Sequence, residues 1–389
     1  MSGNRCVWMV GLCIISLMVM ASHLACKQGE APGPGPETGS PEEGAPEPGA
    51  EPAEGAEAQP ADEPGEKSEA KPAAESGAAA ELPEVPLGLP DVPVPEDNPI
   101  TPEKVALGKR LYFDTRLSKD GTISCATCHD PEMAWAEHTP TSTGFGNQVG
   151  DFNAPTVINA AYATSQFWDG RAESLEEQAL GPIANPIEMG HELPAMIADL
   201  SKLDDYQTAF EEVFGDPEIT EERVAKAIAT FERLVLSGNS PYDKFRDGQE
   251  DALTDAQKRG MERFDEVGCI RCHRPPLFSN YMFHNAGIGM DKDPPDEGRK
   301  AVTGKDVNLG EFRVPALREV ANTAPYFHDG STKTLEEAVA LMVAGGKDNP
   351  NLSLMLKAVR EKEITEQDQK DLVEFLEALS GEFPGEDDI

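Results

Sequence analysis

Two pentapeptides, Cys125-Ala-Thr-Cys128-His129 and Cys269-Ile-Arg-Cys272-His273, have the residue types and spacing best suited to chemistry in this chain. In each, the two cysteines can form thioethers with the vinyl groups of one haem, and the histidine can ligate its iron. A thioredoxin-like dithiol needs a βαβ context that neither copy has. One zinc ion shared by both motifs would have too many ligands. The sequence therefore predicts two covalently bound haem c groups.

The other three cysteines lie in or at the end of an apolar N-terminal stretch: Cys6, Cys13 and Cys26. Residues 1–25 are predicted to be an export signal, whose apolar run is too short for a membrane span. Leu24-Ala25-Cys26 resembles the end of a bacterial lipobox. This predicts a periplasmic protein that is anchored to a membrane as a lipoprotein through Cys26. Ordinary signal cleavage near residue 25 is the alternative, since His23 stands where an aliphatic residue is usual.

Residues 26–95 are predicted to be a disordered acidic linker. They are rich in Pro, Ala, Gly and Glu and contain no aromatic residue, so they cannot bury enough apolar surface to fold. The whole chain has a formal net charge of −38. That charge argues against nucleic acid as a partner, because its phosphates would be repelled. It is compatible with a basic electron-donor protein.

The remaining residues are predicted to be helical. Helices are expected to start at Pro102 and after Ser174, Thr254 and Thr334, from a proline at a first helical position and from capping boxes. Residues 222–236 and 366–379 have the apolar spacing of amphipathic helices.

The two haem motifs follow similar segments. Gly108-Lys-Arg-Leu-Tyr-Phe-Asp114 precedes the first motif, and Gly260-Met-Glu-Arg-Phe-Asp265 precedes the second. We therefore expect an all-α protein with two related cytochrome c-like domains, residues 96–245 and 246–389, each with one covalently bound haem c.

Three further segments resemble the bacterial dihaem cytochrome c peroxidase family, which includes the MauG enzymes. They are Phe167-Trp168-Asp169-Gly170-Arg171-Ala172, Asn185-Pro-Ile-Glu188-Met189 and Ala324-Pro325-Tyr326-Phe327-His328-Asp329-Gly330. The resemblance covers about residues 98–379. It implies that the N-terminal haem domain reduces H2O2 to water and that the C-terminal haem domain delivers electrons from a small cytochrome c or cupredoxin. It also implies a homodimer.

The resemblance gives roles to three residues near the first haem. Glu188 would move protons, and such acid–base help is typically worth about 10²–10⁴-fold. Gln178 would orient the peroxide. Trp168 would relay electrons between the haems, with core packing as the alternative. For Glu188 the alternative is a surface acid in a Glu-rich chain.

The resemblance also implies two sets of metal ligands. Met342, fourteen residues after His328, would be the distal ligand of the second haem iron. Three other methionines are alternatives: Met282, Met290 and Met355. A calcium ion would lie between the domains, bound by Asn153, Thr323 and Pro325 through oxygen atoms.

One position departs from the family. Reductively activated members have a distal histidine about sixteen residues after the first motif, and Phe145 stands there in this chain. Phenylalanine cannot ligate iron, so the first haem is predicted to be open to peroxide, with His138 as the alternative ligand. Two other functions remain: a MauG-like enzyme that uses peroxide to oxidise a partner protein, and a non-catalytic dihaem electron carrier. MauG enzymes have a tyrosine as the distal ligand, so Met342 favours a peroxidase.

Overall fold

The computed structural model describes residues 84–389. The regular secondary structure of this part is almost entirely helical, as predicted. Its α-helices are α1 (Pro102–Tyr112), α2 (Cys125–Cys128), α3 (Leu175–Ala184), α4 (Leu193–Leu200), α5 (Asp204–Phe214), α6 (Glu221–Glu232), α7 (Pro241–Arg246), α8 (Asp255–Val267), α9 (Arg299–Thr303), α10 (Leu335–Val343), α11 (Leu354–Val359) and α12 (Glu366–Glu377). Strands β1 (Phe283–His284) and β2 (Phe312–Arg313) pair antiparallel. The predicted export signal, Cys26 and the linker up to residue 83 lie outside the described residues. Within residues 84–389 no helix is long and apolar enough to cross a bilayer.

The predicted helix starts are confirmed by their caps. The side chains of Thr101, Ser174, Thr254 and Thr334 each accept a hydrogen bond from a main-chain N–H three residues later. Two helices end earlier than predicted, α6 at Glu232 and α12 at Glu377. After α6 the N–H groups of Leu234 and Val235 bond to carbonyls three residues back. This tighter turn ends the α-helix before residue 236.

Two helix pairs repeat the same packing, α1 with α6 and α8 with α12. A glycine lies at each crossing. A Cβ atom on Gly108 would lie 2.0 Å from the carbonyl oxygen of Ala227, and one on Gly260 would lie 1.8 Å from that of Asp371. Both crossings are therefore closed to any larger residue. The similarity between the segments ahead of the two motifs reflects this repeated close approach.

Each helix pair covers one apolar core that supports one pentapeptide. The first core includes Leu111, Tyr112, Trp135, Ile228 and Phe231, with Cys125 and Ala126 packed against it. The second includes Phe264, Phe278, Leu372, Phe375 and Leu376, with Cys269 and Ile270 packed against it. The packing of the neighbouring helices around each core thus fixes the position of each motif.

Segments near both ends of the described chain pack across these cores. Residues 84–95, which were predicted to belong to the disordered linker, instead lie against the folded body. There the Arg318 guanidinium donates to the carbonyl of Gly88 at 3.1 Å, and the Tyr162 hydroxyl donates to that of Pro90 at 2.8 Å. Near the other end, the indole Nε1 of Trp135 donates to the carbonyl of Pro384 at 2.7 Å. The tail that follows the second core thus contacts the first core.

Candidate functional site

A cavity of about 480 Å³ lies beside the first pentapeptide. Its walls include the motif residues Cys125, Cys128 and His129. They also include Trp168, Gln178 and Glu188, the three residues predicted to act in catalysis. Segments that are distant in sequence are therefore gathered around one space.

Burial keeps the side chains of the two motifs uncharged. Burial lowers the pKa of both His129 and His273 to about 4, so each imidazole is neutral and able to ligate iron. Burial also raises the pKa of the Cys128 thiol to about 12 and that of Cys269 to about 11. A redox-active dithiol needs a readily formed thiolate, so these thiols do not fit that alternative. The residues fit a covalently attached haem.

The second pentapeptide follows α8 directly. Gly268 ends that helix with a φ of 98°, and a 3₁₀ turn over Cys269–Arg271 leads to the histidine. The Nδ1 atom of His273 lies 2.9 Å from the carbonyl oxygen of Phe278. A hydrogen bond there fixes the ring and leaves Nε2 free for iron.

Glu188 lies in the wall of the first cavity, just beyond the C-terminus of α3. The Asn185 side-chain amide donates to its Oε1 atom at 2.9 Å. Burial raises the pKa of the Glu188 carboxyl, while the Arg171 guanidinium and Asn185 partly oppose this shift. A carboxyl that is neither strongly paired nor fully solvated is suited to take up and release protons.

Phe145 holds the Glu188 segment from outside the cavity. Its main-chain N–H donates to the Glu188 carbonyl at 2.8 Å. Its ring packs against Gly190, where a Cβ atom would lie 2.1 Å from the ring. His138 is exposed, and its Nε2 atom lies 3.1 Å from the carbonyl oxygen of Asn322. Neither side chain is among the residues that line the cavity.

Trp168 is fixed by hydrogen bonds from two directions. Its indole Nε1 donates to the carbonyl of Asn153 at 2.9 Å, and its own carbonyl accepts from the N–H of Arg313 at 2.8 Å. The Arg299 guanidinium donates to the carbonyls of Asp169 at 3.0 Å and Gly170 at 2.6 Å. Asn153, which precedes the second motif in sequence, and Arg299 and Arg313, which follow it, thus hold this turn beside the first cavity.

The predicted calcium ligands lie in two segments that touch. The Asn153 N–H donates to the His328 carbonyl at 2.8 Å, which joins the first segment to the one that contains Thr323 and Pro325. The Asn153 amide donates to the carbonyl of Thr139 at 2.9 Å, which leaves its Oδ1 atom free of a hydrogen bond among the described residues. An available side-chain oxygen suits Ca²⁺, and the site stays a prediction.

The structure separates the four candidate methionines. Met282 and Met355 are 60% and 46% exposed. The Sδ atom of Met290 is directed at Gly310. Met342 is half-buried on α10, three and four residues after the buried Val339 and Ala338, which share the second core with the pentapeptide. This placement favours Met342.

Glu232 and Arg313 are among the cavity residues that were not identified from the sequence. Glu232 is 5% exposed, its Oε2 atom makes no hydrogen bond within residues 84–389, and burial raises its pKa to about 8. A signal was present, because Glu232 follows Val224 and Ile228 at four-residue intervals and so falls on the apolar side of α6. Arg313 gave no such signal.

This chain is similar to proteins named cytochrome c peroxidase or MauG. A family model described as di-haem cytochrome c peroxidase matches residues 102–251. The methylamine utilization protein MauG of Methylorubrum extorquens is 39% identical over 293 residues, which cover 75% of this chain and 82% of that protein. The cytochrome c551 peroxidase of Nitrosomonas europaea is 38% identical over 299 residues, which cover 75% of this chain and 85% of that protein. Among solved structures, a MauG-like protein associated with microbial copper homeostasis superimposes with a TM-score of 0.70 at 32% identity, covering 78% of this chain and 96% of that one.

Proposed function

The chain belongs to the di-haem cytochrome c peroxidase family, and we propose that it reduces H2O2 to water with electrons from a small cytochrome c or cupredoxin. The observation that carries this proposal is the cavity that joins Glu188 and Gln178 to the first motif. The overall reaction takes one H2O2, two protons and two electrons to two molecules of water. The protein must therefore supply both a path for protons and a path for electrons.

Two sets of residues would hold the haem groups. Cys125, Cys128 and His129 would hold the first, and Cys269, Cys272, His273 and Met342 the second. When bound, the haem groups supply the redox chemistry that cleaves peroxide. A methionine ligand would raise the potential of the second haem, which would suit it to electron storage.

Glu188 and Gln178 would handle the peroxide. Glu188 would accept a proton from one peroxide oxygen and return it to the other, which leaves as water. Two electrons and two further protons convert the remaining oxygen to the second water. Because burial raises the pKa of Glu188, its protonated and ionised forms are closer in free energy near neutral pH than those of an ordinary glutamate. Gln178, two turns before the end of α3, offers an amide that can orient the substrate by hydrogen bonding.

Trp168 and a calcium ion would connect the two haem sites. The hydrogen bonds that fix the Trp168 turn keep the indole in one place beside the cavity. A rigid aromatic ring in that position suits an electron relay. Asn153, Thr323 and Pro325 would bind Ca²⁺ nearby. We further propose a periplasmic enzyme, anchored through a lipid on Cys26 and active as a homodimer.

The test measures how much reduced electron donor is oxidised for each peroxide consumed. With the holoprotein and a reduced small cytochrome c, we expect two equivalents of donor oxidised per H2O2. Intact mass of the same sample should show two attached haem groups. A protein with both haem groups that does not consume peroxide, before or after one-electron reduction, would be an electron carrier, and the proposal would be wrong.

A MauG-like activity is the second candidate. Two observations favour it: Phe145 lies outside the first cavity, and MauG of Methylorubrum extorquens is 39% identical. Such an enzyme would oxidise a residue on a partner protein rather than draw electrons from a donor. We expect peroxide-oxidised protein to return quickly to its resting spectrum when donor is added. An oxidised spectrum that persists for minutes without donor and decays with covalent change in another protein would support the second candidate.

A further inference from the structure

Arg313 places a half-buried positive charge in the wall of the first cavity. It belongs to β2, which follows the second pentapeptide in sequence, so its presence beside the first motif depends on the packing between the two halves. Its Nε atom donates to the carbonyl of Phe167 at 3.2 Å. Among the described residues, no carboxylate pairs with its guanidinium. Burial lowers the pKa of the Arg313 guanidinium.

The absence of a partner distinguishes Arg313 from a neighbouring buried arginine. Arg318 is 2% exposed, and its two terminal nitrogens each donate at 2.8 Å to the Asp243 carboxylate. A charge removed from water without such a partner is strongly destabilising. Arg313 lines the cavity and has no such carboxylate among the described residues, so a ligand that fills the cavity and displaces its water must itself bring an anion to the guanidinium.

Tyr281 adds a second unused donor in the same cavity. Its side chain is 9% exposed, and its hydroxyl makes no hydrogen bond with the described residues. The Tyr281 ring centroid lies 5.7 Å from the central carbon of the Arg313 guanidinium. Two polar groups without acceptors thus share one part of the wall.

The haem that would occupy this cavity carries carboxylates that could pair with Arg313. A haem c attached at Cys125 and Cys128 has two propionate carboxylates, and a planar guanidinium binds a carboxylate through paired N–H donors. We propose that Arg313 and Tyr281 bind a propionate of the haem attached to the first motif. This proposal rests on haem attachment at that motif, which the mass of the protein reports independently.

The consequence is a charge contact between one half of the protein and the haem of the other. A positive charge beside a haem stabilises the reduced form, because reduction lowers the charge at the iron. Arg313 also donates its main-chain N–H to Trp168, so the same residue fixes the proposed electron relay. Arg313 is therefore a positioning residue that raises the potential of the first haem.

The test is a spectroelectrochemical titration of both haem groups in matched variants. We expect Arg313→Gln to shift the potential of the first haem downward and to leave that of the second nearly unchanged. Arg313→Lys, which retains the charge, should restore most of the shift. Tyr281→Phe should produce a smaller downward shift. Arg299→Gln is the control, since Arg299 holds the carbonyls of Asp169 and Gly170 but is not among the cavity residues.

The outcomes separate this proposal from the one it rests on. An unchanged first potential in Arg313→Gln with both haem groups attached would overturn it. An equal shift in Arg299→Gln would also overturn it, because the cause would then be movement of the Trp168 turn. If Arg313→Gln does not mature, Tyr281→Phe decides, since it removes only one hydroxyl. A wild-type mass without haem on the first motif would instead overturn the proposed function.

Discussion

The indole Nε1 of Trp168 donates a hydrogen bond to the main-chain carbonyl of Asn153 at 2.9 Å, while the N–H of Asn153 donates to the carbonyl of His328 at 2.8 Å. Trp168 and His328 occupy equivalent positions in two repeated turns. The residue before each has a left-handed backbone, with φ of 66° at Phe167 and 69° at Phe327. Asn153 therefore joins the matching turns of the two halves, and Trp168 lies at that junction.

Electron transfer between the haem groups should depend on Trp168. We expect Trp168→Phe to slow transfer from the second haem to the first, because the smaller ring is harder to oxidise and loses the bond to Asn153. Rapid mixing of fully reduced protein with peroxide, followed at the absorption of the second haem, measures this rate.

Trp135→Phe is the matched control for Trp168. The Trp135 indole also donates to a main-chain carbonyl, that of Pro384, but its ring is buried in the first core. Each variant loses a hydrogen bond worth about 1 kcal/mol, so both should unfold slightly more easily. If both also slow electron transfer equally, Trp168 is a packing residue and the relay role is wrong.

Peroxide reduction should depend on the Glu188 carboxyl. We expect Glu188→Gln to lower kcat/KM for H2O2 by about 10²–10⁴-fold, since glutamine cannot exchange the proton. Burial raises the pKa of Glu188, and the ionised form is the one that accepts a proton. Wild-type activity should therefore fall with decreasing pH at a higher pH than for an ordinary glutamate.

Glu192→Gln serves as the control for this change. Glu192 is exposed, lies four residues further along and is not among the cavity residues. Its variant should keep both the activity and the acid limb of the pH profile. A Glu188→Gln enzyme with the same acid limb as wild type would assign that limb to another group.

Absorption spectra can identify the distal ligand of the second haem iron. We expect Met342→Leu to abolish the methionine-to-iron charge-transfer band of the oxidised protein and to lower the potential of the second haem. Met290→Leu is the matched control, because the Met290 sulfur is directed at Gly310. A band lost in Met290→Leu and kept in Met342→Leu would reverse the assignment.

Glu232 should make stability depend on pH. Its pKa is about 8 in the folded protein and near 4.5 when unfolded, so unfolding releases its proton between these values. Its ionisation thus favours the unfolded state increasingly as pH rises from about 5 to about 8. Glu232→Gln should raise the free energy of unfolding, with a difference that grows over this range to a few kcal/mol, at about 1.4 kcal/mol per pKa unit.

Denaturant titrations at several pH values measure this effect. Glu212→Gln, at an exposed position on α5, is the control and should leave the unfolding free energy nearly unchanged. A Glu232→Gln difference that is constant across pH would mean that the carboxyl does not titrate in this range.

Local signals predicted much of the fold. The caps at Thr101, Ser174 and Thr254 depend on short side-chain contacts, so the residue types alone indicate the helix starts. The segments around Gly108 and Gly260 are also similar in sequence, because only glycine fits at each helix crossing, and this similarity indicated the two related domains. Such features need no knowledge of distant packing.

Other features of the site depend on distant packing. Arg313 lies beside the first motif although 184 positions separate it from His129 in sequence. The position of the Phe145 ring depends on Gly190, which no local pattern indicates. Glu232 had a local signal, but its raised pKa depends on the helices and loops that exclude water around it.

The spin state of the oxidised first haem tests most directly whether the Phe145 position leaves the iron open to peroxide. We expect the fully oxidised holoprotein to give a high-spin EPR signal that one equivalent of H2O2 removes, because neither Phe145 nor His138 lines the cavity. Phe145→His should keep this signal, since its ring site faces Gly190. His138→Ala should keep it too, because His138 is exposed beside Asn322.

Two low-spin signals that peroxide does not change would contradict this expectation. They would require a distal ligand reaching the first haem through a loop arrangement different from the one described here. If His138→Ala then restored the high-spin signal, His138 would be that ligand. Peroxide reduction would in that case have to begin only after one-electron reduction, which the donor-oxidation assay detects as a lag removed by prior reduction.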